Sequence, residues 1–356
     1  MQLARAAVLN ADRTFSIERF EVPPSLDGAV IEVEACGLCG TDLDVARGSL
    51  PIRTPLIPGH EPVGRILSIA ENYAQTTGLK VGDRVVVPAE LHCGECAGCR
   101  ADESCLASPG THGFLPTTLS PGLWGGFAEA MVLSPQTRPL QMNTSVPLYR
   151  ASLFNLLGAG WSWAVEAPLL RPSQSVVVLG PGQRGLACVL AATSVGANVI
   201  AVTGLGSRDQ QKLAVALALG AKNVLDVETS DIESEILRVA PGGVDVVIDT
   251  TPHSTDAVTH AMNLVAPGGT IVIAGLKGAP VPFFSTDTLA LRRITLRGVR
   301  SVTRSGFRNA LAMIESGDER LDLLHTHHFD IEHVQDAIDT LRDDPSAIAV
   351  SLGRAL

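Results

Sequence analysis

From residue 175 to about residue 276 the chain alternates short apolar runs with longer amphipathic stretches. The run from Val176 to Leu179, then NVIAV (198–202), NVLDV (223–227), VDVVIDTT (244–251) and TIVIAGL (270–276), has the length and β-branched content of strands buried on both faces. Between them, the stretch that ends at Gly196 and the segments DQQKLAVALALGA, DIESEILRVA and AVTHAMNLVA place apolar residues at helical spacing. Regular strand–helix alternation predicts a doubly wound α/β sheet of about six strands with helices on both faces. The first 150 residues follow another rhythm. IEVEA (31–35), VGRIL (63–67) and VVV (85–87) are short, Gly- and Pro-punctuated strands, which predict a β-rich domain.

A length of 356 residues fits two domains better than one. With 46% hydrophobic and 18% charged residues, 34 Gly and 22 Pro, the chain is ordered and rich in turns. Its formal charge of −10 repels a phosphate backbone, and no basic patch offsets it, so no nucleic-acid partner is expected. The N-terminal stretch lacks the apolar core of a signal peptide, and no run of about 18 apolar residues follows. The expectation is a cytoplasmic protein with no membrane partner.

Seven cysteines, four of them in CGECAGCRADESC (93–105), change that picture by adding metal chemistry. Cys93, Cys96, Cys99 and Cys105 have the spacing at which one loop can turn four sulfurs onto a tetrahedral zinc. Four thiolates leave no position for a substrate, so such a zinc is structural; disulfides or a redox pair fit an acidic chain without a leader less well. A nucleic-acid-binding zinc ribbon has similar loops, and the charge argues against it.

Upstream, EVEACGLCGTDLD (32–44) and PLIPGHEPVGRI (55–66) set Cys39, Thr41, His60 and Glu61 at strand ends. Thiolate, imidazole and carboxylate are the donors of a zinc that keeps one position open. By themselves Cys39 and His60 also fit a buried thiol and a turn histidine. Asp42 is the right type to accept the second imidazole N–H of His60, as the outer partner of a metal-bound histidine does. Cys36 and Cys188 read as buried thiols.

In the second half Gly180, Gly182 and Gly185 form G-x-G-x-x-G with a strand before, a helix after and a second strand following, which predicts a dinucleotide site. Where an NAD site usually has an acid, this chain has Gly204, followed by Ser207 and Arg208. Loss of the acid with gain of a guanidinium and a hydroxyl leans toward NADP.

Taken together, GLCGTD, GHE, GDRV (82–85), the cysteine lobe, LWGGFAE (123–129) and GPGQRG (180–185) identify a chain that resembles the zinc-dependent medium-chain dehydrogenases, the group of alcohol, sorbitol, threonine and butanediol dehydrogenases. The resemblance implies a GroES-like catalytic domain at 1–152 with the structural zinc lobe 93–105, a Rossmann domain at 153–298, and a C-terminal return to the catalytic domain at 299–356. It implies a catalytic zinc at Cys39 and His60 in the cleft between domains, a structural zinc in the lobe, and hydride transfer between an alcohol or its carbonyl and NAD(P), with Thr41 first in the proton relay. A homodimer or homotetramer would pair sheet edges near ITLRGV (294–299).

The sequence departs from the family pattern in three places. The third zinc ligand aligns with Asn155, a neutral and poorer donor, which leaves Asn155, Glu61 or water to complete the sphere. The last cysteine gap is shorter than usual. Asp44 stands where many relatives carry a relay histidine. Two other readings stay open: a medium-chain reductase without catalytic zinc acting on an activated double bond, and a non-enzymatic nucleotide-binding protein. His325, His327 and His328 read as structural, and Trp124, Trp161 and Trp163 as core or pocket wall.

Overall fold

The computed structural model describes residues 2–24, 27–101, 104–281 and 285–354, so Asp102 and Glu103 of the lobe lie outside the described residues. The chain opens with β1 (Leu3–Leu9), β2 (Phe15–Glu21) and the ten-residue β3 (Ala29–Leu38). There follow α1 (Gly40–Ala46), β4 (Glu61–Ile69), α2 (Glu71–Thr77), β5 (Arg84–Val86), α3 (Ala97–Arg100), β6 (Ala130–Leu133), β7 (Leu140–Gln141) and α4 (Leu148–Ala151). Then α5 (Phe154–Trp161) runs into one π-helical turn, Ser162–Glu166.

From there strands and helices alternate: β8 (Ser175–Leu179), α6 (Gln183–Ser194), β9 (Asn198–Gly204), α7 (Gly206–Ala218), β10 (Val224–Asp226), α8 (Ile232–Val239), β11 (Val244–Asp249), α9 (Asp256–Leu264), β12 (Val265–Ile273), α10 (Thr286–Leu291) and β13 (Thr295–Gly298). The chain closes with α11 (Arg304–Glu315), β14 (His325–Phe329), α12 (Val334–Asp343) and β15 (Ala349–Gly353). No described helix is long and apolar enough to cross a membrane.

Contacts divide the chain into two units, Met1–Asn155 with Leu311–Leu356, and Leu156–Ala310. In the first, β1 and β2 form a hairpin beside a sheet ordered β14-β15-β3-β4-β5-β7. β3 is long enough to serve two partners on one side: Ala29 to Glu32 pair with β6, and Ala35 to Leu38 pair with β15. Its apolar side chains, Ile31, Val33 and Leu38, join Ile57, Val85, Leu123, Phe127, Met131 and, from the C-terminal segment, Val334, Ile338, Val350 and Leu352 in one core.

Buried charge in that sheet is paired. The fully buried Glu34 accepts Arg65 Nε at 2.9 Å and Arg84 Nε at 2.6 Å, and Arg354 also donates to it. A carboxylate out of water is tolerated when donors surround it in this way.

The second unit has the parallel order β10-β9-β8-β11-β12-β13 around a core that includes Val177, Leu179, Val247, Leu264 and Ile271. The order reverses between β8 and β11, which opens a crevice at the carboxyl ends of those strands. The expected α/β class holds for both units, a GroES-like β-rich fold and a Rossmann sheet.

Candidate functional site

Sheet pairing assembles the first cluster. β3 and β4 are antiparallel with Gly37 opposite Glu61, so the residue that follows β3 and the residue that precedes β4 meet. Cys39 then caps α1: its sulfur accepts Thr41 N at 3.3 Å, and the Asp42 carboxylate returns to accept Cys39 N at 3.0 Å. The same Asp42 has its other oxygen 3.2 Å from His60 Nδ1, and His60 Nε2 lies 3.0 Å from Cys39 Sγ. Cys39, Asp42, His60, Glu61 and Asn155 are all buried. Glu61 Oε1 is 3.9 Å from His60 Nε2 and accepts the side-chain amide of Asn155. Thr41 is half-buried beside them, and Asp44 is spent locally on Arg47 and Ser49.

Burial pulls the His60 imidazolium down, but the Asp42 carboxylate and the Cys39 thiolate outweigh it and hold the ring well above its ordinary value. This donor set fits zinc. Asp42 on Nδ1 leaves Nε2 as the lone-pair nitrogen facing the thiolate, and bond lengths of about 2.3 Å to sulfur and 2.0 Å to nitrogen would set the two atoms roughly 3.6 Å apart, a movement of about half an ångström.

The cysteine lobe fits as well. Cys93 and Cys99 sulfurs are 3.9 Å apart, as are those of Cys96 and Cys105, against about 3.8 Å for a zinc tetrahedron. Backbone N–H groups already point at the sulfurs: Cys99 N and Leu106 N donate to Cys96 at 3.4 and 3.3 Å and hold that thiol down at about 6. Cys36 and Cys188 are buried instead, and burial pushes the Cys188 thiol up to about 12.

In the second unit Gly180 has φ 96°, and a Cβ at Gly185 would stand 1.9 Å from Gly180 O, so the turn and the approach of α6 to it both require glycine. The loop after β11 secures this turn from below. Thr250 Oγ1 donates to Leu179 O and Gly180 O, and the Thr251 hydroxyl donates to Asp249. A buried ion pair, Lys277 Nζ to Asp249 Oδ2 at 2.6 Å, ties the loop after β12 to the same place, and Lys277 also donates to Thr251 O at 2.6 Å. Composition and periodicity gave no hint of this pair, because its partners meet only through the pairing of β11 with β12.

Gly204 ends β9, and a Cβ there would stand 2.7 Å from Pro181 Cγ. The dinucleotide turn packs against this position, so a side chain there would have to displace Pro181. Ser207 and Arg208 open α7, as the motif places them, but acids stand around them. Asp226 accepts Gly206 N at 2.8 Å and Glu228 accepts Ser207 N at 2.9 Å.

The histidines near the C-terminus form no comparable cluster. His325 and His328 share the Ser351 hydroxyl at 2.8 Å each, and His327 faces Asp344.

A β-rich unit with thiolate and imidazole donors, carried on one chain with a Rossmann sheet and its glycine turn, is the build of a zinc-dependent medium-chain dehydrogenase. The chain belongs to that family: residues 26–142 match the alcohol dehydrogenase GroES-like domain, and residues 185–316 match the zinc-binding dehydrogenase domain. It is 36% identical over 353 residues to a Mycobacterium tuberculosis protein named "probable alcohol dehydrogenase", covering 97% of this chain and 96% of that one. It is 31% identical over 332 residues to an alcohol dehydrogenase of Geobacillus stearothermophilus, covering 89% and 90%. The crystal structure of an alcohol dehydrogenase from Thermotoga maritima superposes with a TM-score of 0.88 at 26% identity, over 99% of this chain and all of that one.

Proposed function

We propose that this chain transfers hydride between an alcohol and NAD(P), interconverting a small-molecule alcohol with its aldehyde or ketone, and that it holds two zinc ions, one at Cys39 and His60 and one in the lobe of Cys93, Cys96, Cys99 and Cys105. The observation that carries the reading is the buried contact of Cys39, His60 and Asp42, a donor set with its outer partner already in place. Zinc held there supplies a Lewis acid that makes a hydroxyl easier to deprotonate.

The chain's own residues do the rest. Asp42 accepts the hydrogen bond from Nδ1–H of His60 and fixes the ring. The amide of Thr41 donates to the Cys39 sulfur, and the Thr41 hydroxyl, half-buried on the same turn, passes the alcohol proton outward. Glu61 is the third donor, and Asn155, which spends its amide on Glu61, orients that carboxylate. Gly180, Gly182 and Gly185 present the backbone to the pyrophosphate at the start of α6. Ser207 and Arg208 favour NADP and the acids beside them oppose it.

Two further readings accompany this one. The exposed edge strand β13 is the surface on which a second copy would pair to make a dimer or tetramer. Four cysteines kept free of disulfides for metal call for a reducing compartment, the cytoplasm.

The test is elemental analysis of zinc per chain, before and after mild chelation, with alcohol-dependent reduction of NAD and NADP followed in parallel. Two zincs, with activity lost as the labile one leaves, are expected. One zinc despite full reloading would turn the reading toward a zinc-independent reductase or a non-enzymatic role.

A further inference from the structure

We infer that this chain selects NAD against NADP, and that Asp226 and Glu228 make the selection from the strand next to the one that usually carries the acid. This inference rests on the dehydrogenase reading above and names the cofactor of that reading.

A 2′-phosphate is recognised at the carboxyl end of the second Rossmann strand by backbone N–H groups at the start of the following helix and by cationic side chains. Here the N–H groups are taken. Gly206 N donates to Asp226 Oδ1 at 2.8 Å and Ser207 N donates to Glu228 Oε2 at 2.9 Å. Asp226 is fixed in place, because Glu228 N and Thr229 Oγ1 also donate to it, each at 2.9 Å. A Cβ at Gly206 would stand 2.2 Å from Asp226 Oδ2, so only glycine lets the carboxylate seat this closely on α7. The N–H groups of Glu228 and Gly206 hold that carboxyl below its usual range.

The place is the ribose end of the dinucleotide site. Asp226 is the register partner of Gly204, and Gly204 packs against Pro181 of the glycine turn. A third acid, Asp209, accepts Leu205 N at 3.1 Å on the same first turn and has Lys212 at 3.9 Å. On the other side of the balance stand the Arg208 guanidinium and the Ser207 hydroxyl. A phosphate dianion at this spot meets two carboxylates already seated on the donors it needs, whereas ribose hydroxyls are donors that carboxylates accept. Repulsion between a dianion and one carboxylate at about 5 Å, in a dielectric close to that of water, weakens binding on the order of tenfold.

The experiment is fluorescence titration of the full-length protein with NADH and with NADPH at one ionic strength. NADH is expected to bind at least about tenfold more tightly. Because Asp226 also pins its turn, the variants are placed on exposed Glu228: Glu228→Gln should narrow the ratio several-fold, Glu228→Lys should narrow it further, and Arg208→Ala, which removes a cation from the NADPH side of the balance, should widen it. Wild-type protein that binds NADPH as tightly as NADH, or a ratio indifferent to Glu228→Lys, would overturn the inference and leave the dehydrogenase reading standing. Binding of neither dinucleotide would sink both.

Discussion

Replacing Lys277 with Met removes one half of a buried ion pair at little change in volume. Both side chains are inside, 7% exposed for Lys277 and 0% for Asp249, and their charged atoms are 2.6 Å apart. The variant keeps the Thr251 N–H and hydroxyl on Asp249 Oδ1, at 3.0 and 2.6 Å, but takes the only cation from Oδ2 among the described residues. An uncompensated buried charge of this kind costs about 3–5 kcal/mol. For a domain of this size each kcal/mol lowers the melting temperature by roughly 2–4 °C, so unfolding of the second unit should move down on the order of 10 °C.

Binding should suffer with it. Lys277 also holds Thr251 O, and the Thr251 methyl lies 2.9 Å from where a Gly180 Cβ would be, so slack in that loop reaches the dinucleotide turn. NADH affinity should fall several-fold. The double variant Asp249→Asn/Lys277→Met removes both charges and should recover much of the stability, since neutral replacement of a buried pair is often close to neutral overall. Thermal unfolding and NADH titration of the three proteins test this. A single variant that melts within about 2 °C of wild type, or a double variant no more stable than the single, would refute the reasoning.

Cys39→Ser should abolish turnover and lower zinc content by one per chain while NADH still binds; Cys93→Ser should lower stability first, and equal loss of activity without unfolding in both would contradict the division of labour. Gly204→Ala should weaken NADH and NADPH alike, because its methyl meets Pro181 and adds no charge; a changed ratio would show that the site lies elsewhere. His112 is fully buried, and burial holds its imidazole down at about 4 against an ordinary 6.5. The unfolded chain therefore takes the proton first, so this contribution to stability is complete above about 6.5 and declines as pH falls from there to about 4, by about 3 kcal/mol in all. His112→Gln should flatten denaturation midpoints across that window relative to wild type, and parallel slopes would exclude His112 as the cause.

The sequence made the second unit's sheet legible because its strands are buried on both faces and read as unbroken apolar runs. It was less legible at β12, which starts at Val265 and not at Thr270. The residues LVA there continue the helical spacing of α9, and Gly268 and Gly269 then break any alternation, so pattern alone ends the helix late. β15 was not foreseen as a strand, since AVSLG has too few residues to show a period.

At the candidate site, Cys39, Asp42 and His60 were found through motifs with known relatives. What brings them together is the register of Gly37 on Glu61, which no local pattern reveals. Asp226 and Glu228 could not have been found that way. They reach the start of α7 because β10 lies beside β9, and DVE in isolation is an ordinary polar strand end.

The register of β15 on the second half of β3 also sets an order of assembly on the ribosome. The chain emerges N-terminal end first, so β3, β4 and β5 are made long before the strand that covers Ala35 to Leu38. Through synthesis of the whole Rossmann unit, the first sheet carries an open edge, and Glu34 lacks the arginine at 354. That edge is a template for pairing with another nascent chain. Completion of the first unit therefore waits until residues 349–353 have been made, and its exposure to misassembly is set by the time taken to translate the domain in between.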